Sequence, residues 1–164
     1  MNCVVMQTDF GCMPSPMAGV CKIVDKNLEV YPVTYNVENF DIEKAGKNLV
    51  EVMPYWKEGT VFVSVVDPGV GTSRRAVVAK TEKGHYIVTP DNGILGVIDK
   101  YEKITECRII DQDINRYHGN EWSEKSDIFH GRDVFAYCGA KLASSKISYE
   151  EVGQSYPTEE IVQL

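Results

Sequence analysis

No stretch of this sequence approaches the roughly 18 consecutive apolar residues of a membrane-spanning helix, and the N-terminus has no charged-then-apolar leader, so neither insertion nor secretion is indicated. A basic stripe is missing too. Lys and Arg number 17 against 24 Asp and Glu, giving a formal charge of −7 and a pI near 5.0, which argues against an electrostatic nucleic-acid binder. The acidity is spread along the chain and mostly serves solubility. There is no CxxC pair. The five cysteines (Cys3, Cys12, Cys21, Cys107, Cys138) are odd in number and several sit in apolar runs, as expected of reduced thiols in a cytoplasmic protein. Repeats, low-complexity tracts and internal linkers are absent. The 164 residues read as one domain, large enough to bury a core without metal or disulfide staples.

What is present centres on Thr60 to Arg75, TVFVSVVDPGVGTSRR. Thr60 to Asp67 is dominated by Val and Phe, with no Gly or Pro, the pattern of a buried strand in a parallel sheet. Asp67-Pro68-Gly69 is a turn signal. Gly69 and Gly71 free the backbone for positive φ or for close approach to a ligand, and Arg74 and Arg75 follow. A carboxylate at the end of a buried strand, a glycine loop and a guanidinium occupy the place where open α/β sheets hold ligands. A tight turn with a surface ion pair is the alternative.

The flanking chain reads as alternating strands and helices. Asn2 to Gln7 is an apolar strand ending at Thr8-Asp9-Phe10-Gly11. Ser15-Pro16 suggests a helix start, with Ser as N-cap and Pro at the first helical position, carrying an apolar face to about Lys26. Leu28 to Val37 reads as a second strand and completes a βαβ unit. Asp41 to Met53 has helical spacing and should end or kink at Pro54. Ala76 to Lys80 and Tyr86 to Thr89 read as strands joined by a turn at Glu82-Lys83-Gly84. Pro90-Asp91-Asn92-Gly93 is a turn, followed by a helix over Ile94 to Tyr101. A strand is expected at Cys107 to Ile110, a loop at Ile114 to Lys125, and a largely apolar helix at Arg132 to Ala143, preceded by Phe129-His130-Gly131.

Three ligand-suited clusters fall at strand ends or helix starts: Thr8 to Gly11, Asp67 to Arg75, and Phe129 to Asp133, with Pro90 to Gly93 as a possible fourth. In a parallel sheet with helical crossovers they share one edge. Each has a purely structural alternative: Asp9 capping a turn, Asp91 and Asn92 in an Asx-turn, His130 a core histidine, Asp133 a helix cap. An Asp, an Arg and a His brought together can orient a water, the guanidinium favouring hydroxide while the carboxylate or imidazole takes its proton. Asp9 could accept hydrogen bonds from the vicinal hydroxyls of a ribose. Metal binding by His130, Asp133, Asp67 and Asp9 competes, but no HxH, HxxxH or Cys/His spacing supports it, and an Arg beside the ligands would repel the cation.

The series TDFG, VVDPGVGTSRR, PDNGIL and FHGRDVFA closely resembles the S-adenosyl-L-methionine hydroxide adenosyltransferases, relatives of fluorinase and chlorinase, over essentially the whole chain. The resemblance implies an α/β fold, a mainly parallel sheet flanked by helices, corresponding to the Rossmann-like N-terminal domain of the fluorinase-type fold. It also implies hydroxide attack on the ribose C5′ of S-adenosyl-L-methionine, giving adenosine and L-methionine. Carried over by position, Asp67, Arg74 and His130 form the water-activating triad and Asp9 is the ribose ligand. Phe40 stands where the family often has an aromatic near the ligand, although a core residue leading into the helix is an equal reading. Asn92 and Gly131 complete the expected substrate contacts. S-adenosyl-L-methionine is substrate rather than cofactor, and no metal, nucleic-acid or membrane partner is implied.

Two departures from the family pattern stand out. Family members continue into a smaller β-rich domain, with the active site formed between subunits of a trimer, and that C-terminal domain is not in this sequence. A homo-oligomer, or a separately supplied C-terminal domain, is therefore an expected partner. Locally, Cys12-Met13-Pro14-Ser15-Pro16-Met17 replaces an acidic residue followed by a Tyr-Val run, and Tyr35 stands near the place of a family His. Three functions stay open: a hydrolytic adenosyltransferase, a non-catalytic nucleoside-binding or assembly module, and a metal-assisted hydrolase.

Overall fold

A computed structural model describes residues 3–119 and 129–164. Its strands are β1 (Cys3–Thr8), β2 (Glu29–Pro32), β3 (Val61–Val65), β4 (Ala76–Thr81), β5 (Tyr86–Pro90), β6 (Ile104–Ile109) and β7 (Ser155–Tyr156). The helices are α1 (Ser15–Val24), α2 (Ile42–Val52), α3 (Ile94–Asp99) and α4 (Tyr137–Ala143). One seven-stranded sheet has the order β2-β1-β3-β5-β4-β6-β7. β2, β1, β3 and β5 are mutually parallel, whereas β4, β6 and β7 join by antiparallel pairing.

The alternation of side chains along each strand divides the core into two layers. On one face Val4, Met6, Val61, Val63 and Val65 pack with Met17, Val20 and Cys21 of α1 and with Cys138 and Ala140 of α4. On the other, Val5 and Phe62 meet Ala45, Leu49 and Met53 on the α2 side and Ile94, Leu95 and Ile98 of α3. Ala45, Leu49 and Met53 recur every fourth residue, so α2 and the turn after it present one apolar stripe. Asp41 starts that helix by accepting a hydrogen bond from Lys44 N at 3.0 Å. Because the chain leaves β1 through α1 on one face and returns to β3 through α2 on the other, the carboxyl ends of β1 and β3 bound the crevice of an open α/β sheet.

The α/β class and nearly every element follow the sequence pattern, and the differences are local. Ser15 is the first helical residue rather than the N-cap, which is Pro14, and no side chain caps that end. The second strand stops at Pro32 instead of reaching Val37. β2 is an edge strand, Val33 N still donates to Met6 O at 2.9 Å, and residues 34–40 then leave the ladder through a bend and a turn. β6 begins at Ile104, earlier than Cys107. The final helix opens with a π-helical segment, Gly131–Ala136, before α4. The loop expected over Ile114 to Lys125 lies partly outside the described residues.

Among the described residues, no helix is long and apolar enough to cross a membrane. All five cysteines are free thiols. Remote from the crevice, His85 is buried between two acceptors: its Nδ1 is 2.7 Å from Glu102 Oε1 and its Nε2 is 2.9 Å from the Trp56 carbonyl oxygen. Thr81 Oγ1 donates to the same Glu102 oxygen at 2.5 Å. This network ties the β4–β5 hairpin to the turn after α3. Glu102→Ala would strand His85 and Thr81 without their acceptor, and a loss of about 3–5 kcal/mol in urea unfolding is expected. A loss below about 1 kcal/mol would show that the pair is structurally idle.

Candidate active site

The loop between β3 and β4 carries Asp67 at one end and Arg74 at the other. β4 runs antiparallel to β5, so its first residues lie at the edge where β3 and β5 finish. An arginine just before one strand thereby faces a carboxylate just after another. Arg74 Nε donates to Asp67 Oδ1 at 2.9 Å and Arg74 Nη2 donates to Asp67 Oδ2, forming a bidentate pair. Both side chains are largely buried, 10% and 6% exposed, so the pair is shielded from the screening that weakens surface ion pairs. Arg74 Nη2 also lies 3.0 Å from His130 Nδ1. A guanidinium can only donate, so Nδ1 accepts, and the neutral imidazole carries its proton on Nε2. The Arg74 guanidinium stands 5.3 Å from the Phe135 ring centroid, which backs the cluster with an apolar surface.

His130 reaches this position at the mouth of the π-helical segment, of which it is the N-cap. Such segments widen a helix by one residue and recur at functional sites. Asp133, fully buried, is bound by Arg132 through Nε to Oδ1 at 2.6 Å and Nη2 to Oδ2 at 3.1 Å. Arg132 also lies 5.0 Å from the Phe129 ring centroid. Gly131 allows close packing, since a Cβ there would meet Met17 Sδ at 3.2 Å and Phe129 at 3.4 Å.

A pocket of about 170 Å3 opens beside the cluster, lined by Asp9, Asp67, His130 and Gly131 with Phe10, Phe40, Val65, Val70 and Phe129. Asp9 is buried, and its Oδ2 accepts a 2.8 Å hydrogen bond from the Phe40 N–H. Phe40 has φ of 63°, the left-handed region that a bulky residue seldom occupies, and the residue is 62% exposed beside the pocket it lines. It is therefore a rim residue and not the core residue that was the other reading of the sequence. Asp67, His130, Asp9, Phe40 and Gly131 are thus brought together around one pocket. Arg74 stands behind it, touching Asp67 and His130.

Asn92 is placed elsewhere. Its Nδ2 donates to the Val66 carbonyl at 2.7 Å, and the residue lines a neighbouring cavity of about 390 Å3 with Gly69, Ser73, Arg74, Arg75, Asp91 and Val162. Asp91 is engaged by the C-terminal segment rather than by an Asx-turn: Tyr156 Oη donates to its Oδ2 at 3.0 Å and Val162 N to its Oδ1 at 3.1 Å. Tyr35 and Cys12 line a separate pocket of about 50 Å3 beside Gln7 and Thr8. Among the described residues no group of three or more His, Cys, Asp or Glu side chains converges to hold a metal ion. Asp67 and Asp133 are each engaged by an arginine.

The apolar wall was not singled out by sequence reasoning. Phe10, Val70 and Phe129 sit inside the quoted motifs, where only the polar residues and glycines had been weighed. Their signal was position beside those residues.

A family model for the SAM hydroxide adenosyltransferase N-terminal domain matches residues 4–153. The chain belongs to that family. An (R)-S-adenosyl-L-methionine hydrolase from Methanocaldococcus jannaschii is 32% identical over 149 residues, covering 87% of this chain and 53% of the relative. The enzyme of the same name from Thermus thermophilus is 32% identical over 170 residues, covering 100% of this chain and 65% of its own length. A crystal structure of an uncharacterized conserved protein from Thermotoga maritima superposes with a TM-score of 0.87 at 34% identity, over 99% of this chain and 61% of that one. The chain thus spans about half to two thirds of the length of these relatives.

Asp91 has a measurable consequence. Burial pushes its carboxyl above the ordinary 3.8, against the lowering effect of the Val162 and Tyr156 hydrogen bonds and of nearby Arg75. A raised native value means that folding favours the protonated form. The stabilisation is full below pH 3.8 and is lost as pH rises through the native value. Asp91→Asn removes the charge while its Oδ1 can still accept from Val162 N and its Nδ2 can donate to Tyr156 Oη in place of accepting from it. Its stability relative to the parent, from urea unfolding between pH 3 and about 7, is expected to improve as pH rises. A flat or falling difference would contradict this.

Proposed function

We propose that this domain binds S-adenosyl-L-methionine and hydrolyses it to adenosine and L-methionine, with water attacking the ribose C5′. The observation that carries the reading is Arg74 bridging Asp67 and His130 behind a pocket that also holds Asp9. The hydrolase names of the 32% identical relatives support it.

In this reading Asp9 holds the ribose hydroxyls with the carboxylate that Phe40 N–H orients, while Phe40, Phe10 and Phe129 supply apolar contact. The attacking water lies between Asp67 and His130. His130 Nδ1 is occupied by Arg74, so its Nε2–H donates to the water oxygen and Asp67 accepts the proton. Arg74 stabilises the negative charge that grows there. The new C5′–O bond forms as the C5′–S bond breaks, and its electron pair returns to sulfur as a neutral thioether. The proton passes from Asp67 to solvent. Since the sulfonium leaves uncharged, alignment of the nucleophile matters more than an acid on the leaving side. No metal or cofactor enters the scheme.

The pocket volume lies below the roughly 300–1,000 Å3 of complete ligand sites. The exposed Phe10 and Phe40 stand at its open side. A trimer whose neighbouring subunit or C-terminal domain closes that side is part of the proposal, as is a cytoplasmic setting for the five free thiols.

The test is chromatography of adenosine and methionine after incubation with S-adenosyl-L-methionine. Asp67→Asn, Arg74→Ala and His130→Ala are each expected to lower adenosine release by about 10²–10⁴-fold. A folded parent that releases none, even with a relative's C-terminal domain supplied, would leave only nucleoside binding. Activity lost to a chelator and restored by a divalent ion would favour the metal-assisted alternative.

A further inference from the structure

The strand order β3-β5-β4 forces the loop carrying Asp67 and Arg74 to arch over the carboxyl end of β5, a span of two strand spacings, roughly 10 Å. That loop is glycine-rich, with Gly71 at φ 78°. Its internal hydrogen bonds are few: Val70 N to Asp67 O at 3.3 Å, Thr72 N to Gly69 O at 3.0 Å, Thr72 Oγ1 to Gly69 O at 2.5 Å, and Arg74 N to Thr72 Oγ1 at 3.3 Å. They shape the middle of the loop; its two ends meet through the Arg74–Asp67 side-chain pair, and the main chain at each root is fixed from elsewhere.

The turn that ends β5 lies directly beneath. Asn92 Nδ2 donates to the carbonyl of Val66, the residue before Asp67, at 2.7 Å. Asp91 N donates to the carbonyl of Arg75, the residue after Arg74, at 2.9 Å. Two consecutive residues thus grip the loop at both roots. The turn is itself held: Asp91 accepts hydrogen bonds from Tyr156 and Val162, and Gly93, at φ 118°, would place a Cβ 2.5 Å from Leu164 Cδ2. Asn92 does not line the Asp9 pocket. Its Oδ1 is buried without a hydrogen-bond partner among the described residues, so the bond to Val66 is what orients its amide.

We propose that Asn92 is a positioning residue: with the Asp91 main chain it clamps the Asp67–Arg74 loop and so sets the contact of Arg74 with Asp67 and His130. The assignment rests on the hydrolytic reading above and gives Asn92 a role in orienting the nucleophile in place of a substrate contact. Removing the amide frees the Val66 root, Asp67 and Arg74 lose their common register, and water activation falls while substrate affinity is kept.

Steady-state kinetics of Asn92→Ala and Asn92→Asp test this, the second replacing the donor by an acceptor facing a carbonyl. The expected result is kcat lowered about tenfold or more with KM within about threefold, and a double variant Arg74→Ala/Asn92→Ala no slower than Arg74→Ala alone. A raised KM at unchanged kcat would make Asn92 a substrate ligand and overturn the proposal, as would effects of the two substitutions that multiply. An activity-independent arm uses nitrogen NMR of His130, its signal assigned by loss in His130→Ala. The parent should hold the Nε2–H tautomer that Arg74 imposes, and Asn92→Ala should show tautomer averaging, as Arg74→Ala does. Identical His130 spectra in parent and Asn92→Ala would overturn the clamp. A parent without turnover would sink the hydrolytic reading alone, and the NMR arm would still decide the clamp.

Discussion

The contact of one guanidinium with a carboxylate and an imidazole organises this protein. Arg74 donates to both oxygens of Asp67 and lies 3.0 Å from His130 Nδ1, so a single side chain fixes the orientation of the carboxylate and the tautomer of the ring. An isolated Asp beside an isolated His would hold neither. Burial strengthens the arrangement, because the pair is largely withdrawn from the solvent that would screen it. The rest of the fold brings three residues from separate elements to one point and holds them there.

Topology does this with one departure from a purely parallel sheet. β1 and β3 end side by side at the point where the crossovers switch faces, which places Asp9 and Asp67 in one crevice. Had β4 been another parallel strand, its first residues would lie at the opposite edge, and Arg74 would be remote from Asp67. The antiparallel hairpin with β5 returns the start of β4 to the ligand edge. The π-helical segment adds His130 from the helical layer that covers the same strands.

Much of this was legible in the sequence because burial leaves a pattern. The run from Thr60 to Asp67 has the pattern of a buried strand, and the Asp-Pro-Gly that stops it marks the loop. The stripe of Ala45, Leu49 and Met53 announced α2. Legibility failed where tertiary contacts override local preference. The second strand stops at Pro32 because the chain turns to bring Phe40 N–H to Asp9, 31 residues away in sequence, at a strained φ that no local signal reveals. The apolar lining was missed because Phe10, Val70 and Phe129 become a wall only when three distant loops meet. The resemblance puts Asn92 of PDNGIL among the substrate contacts, whereas its amide donates to a main-chain carbonyl reached through strand order.

The most direct test of the hydrolytic account is incubation of the chain with S-adenosyl-L-methionine in water enriched in heavy oxygen, followed by mass analysis of the adenosine formed. The account expects the label in the 5′-hydroxyl, because the oxygen bonded to C5′ comes from the water held between Asp67 and His130. Adenosine formed without that label, or no adenosine from a folded and closed site, would contradict it.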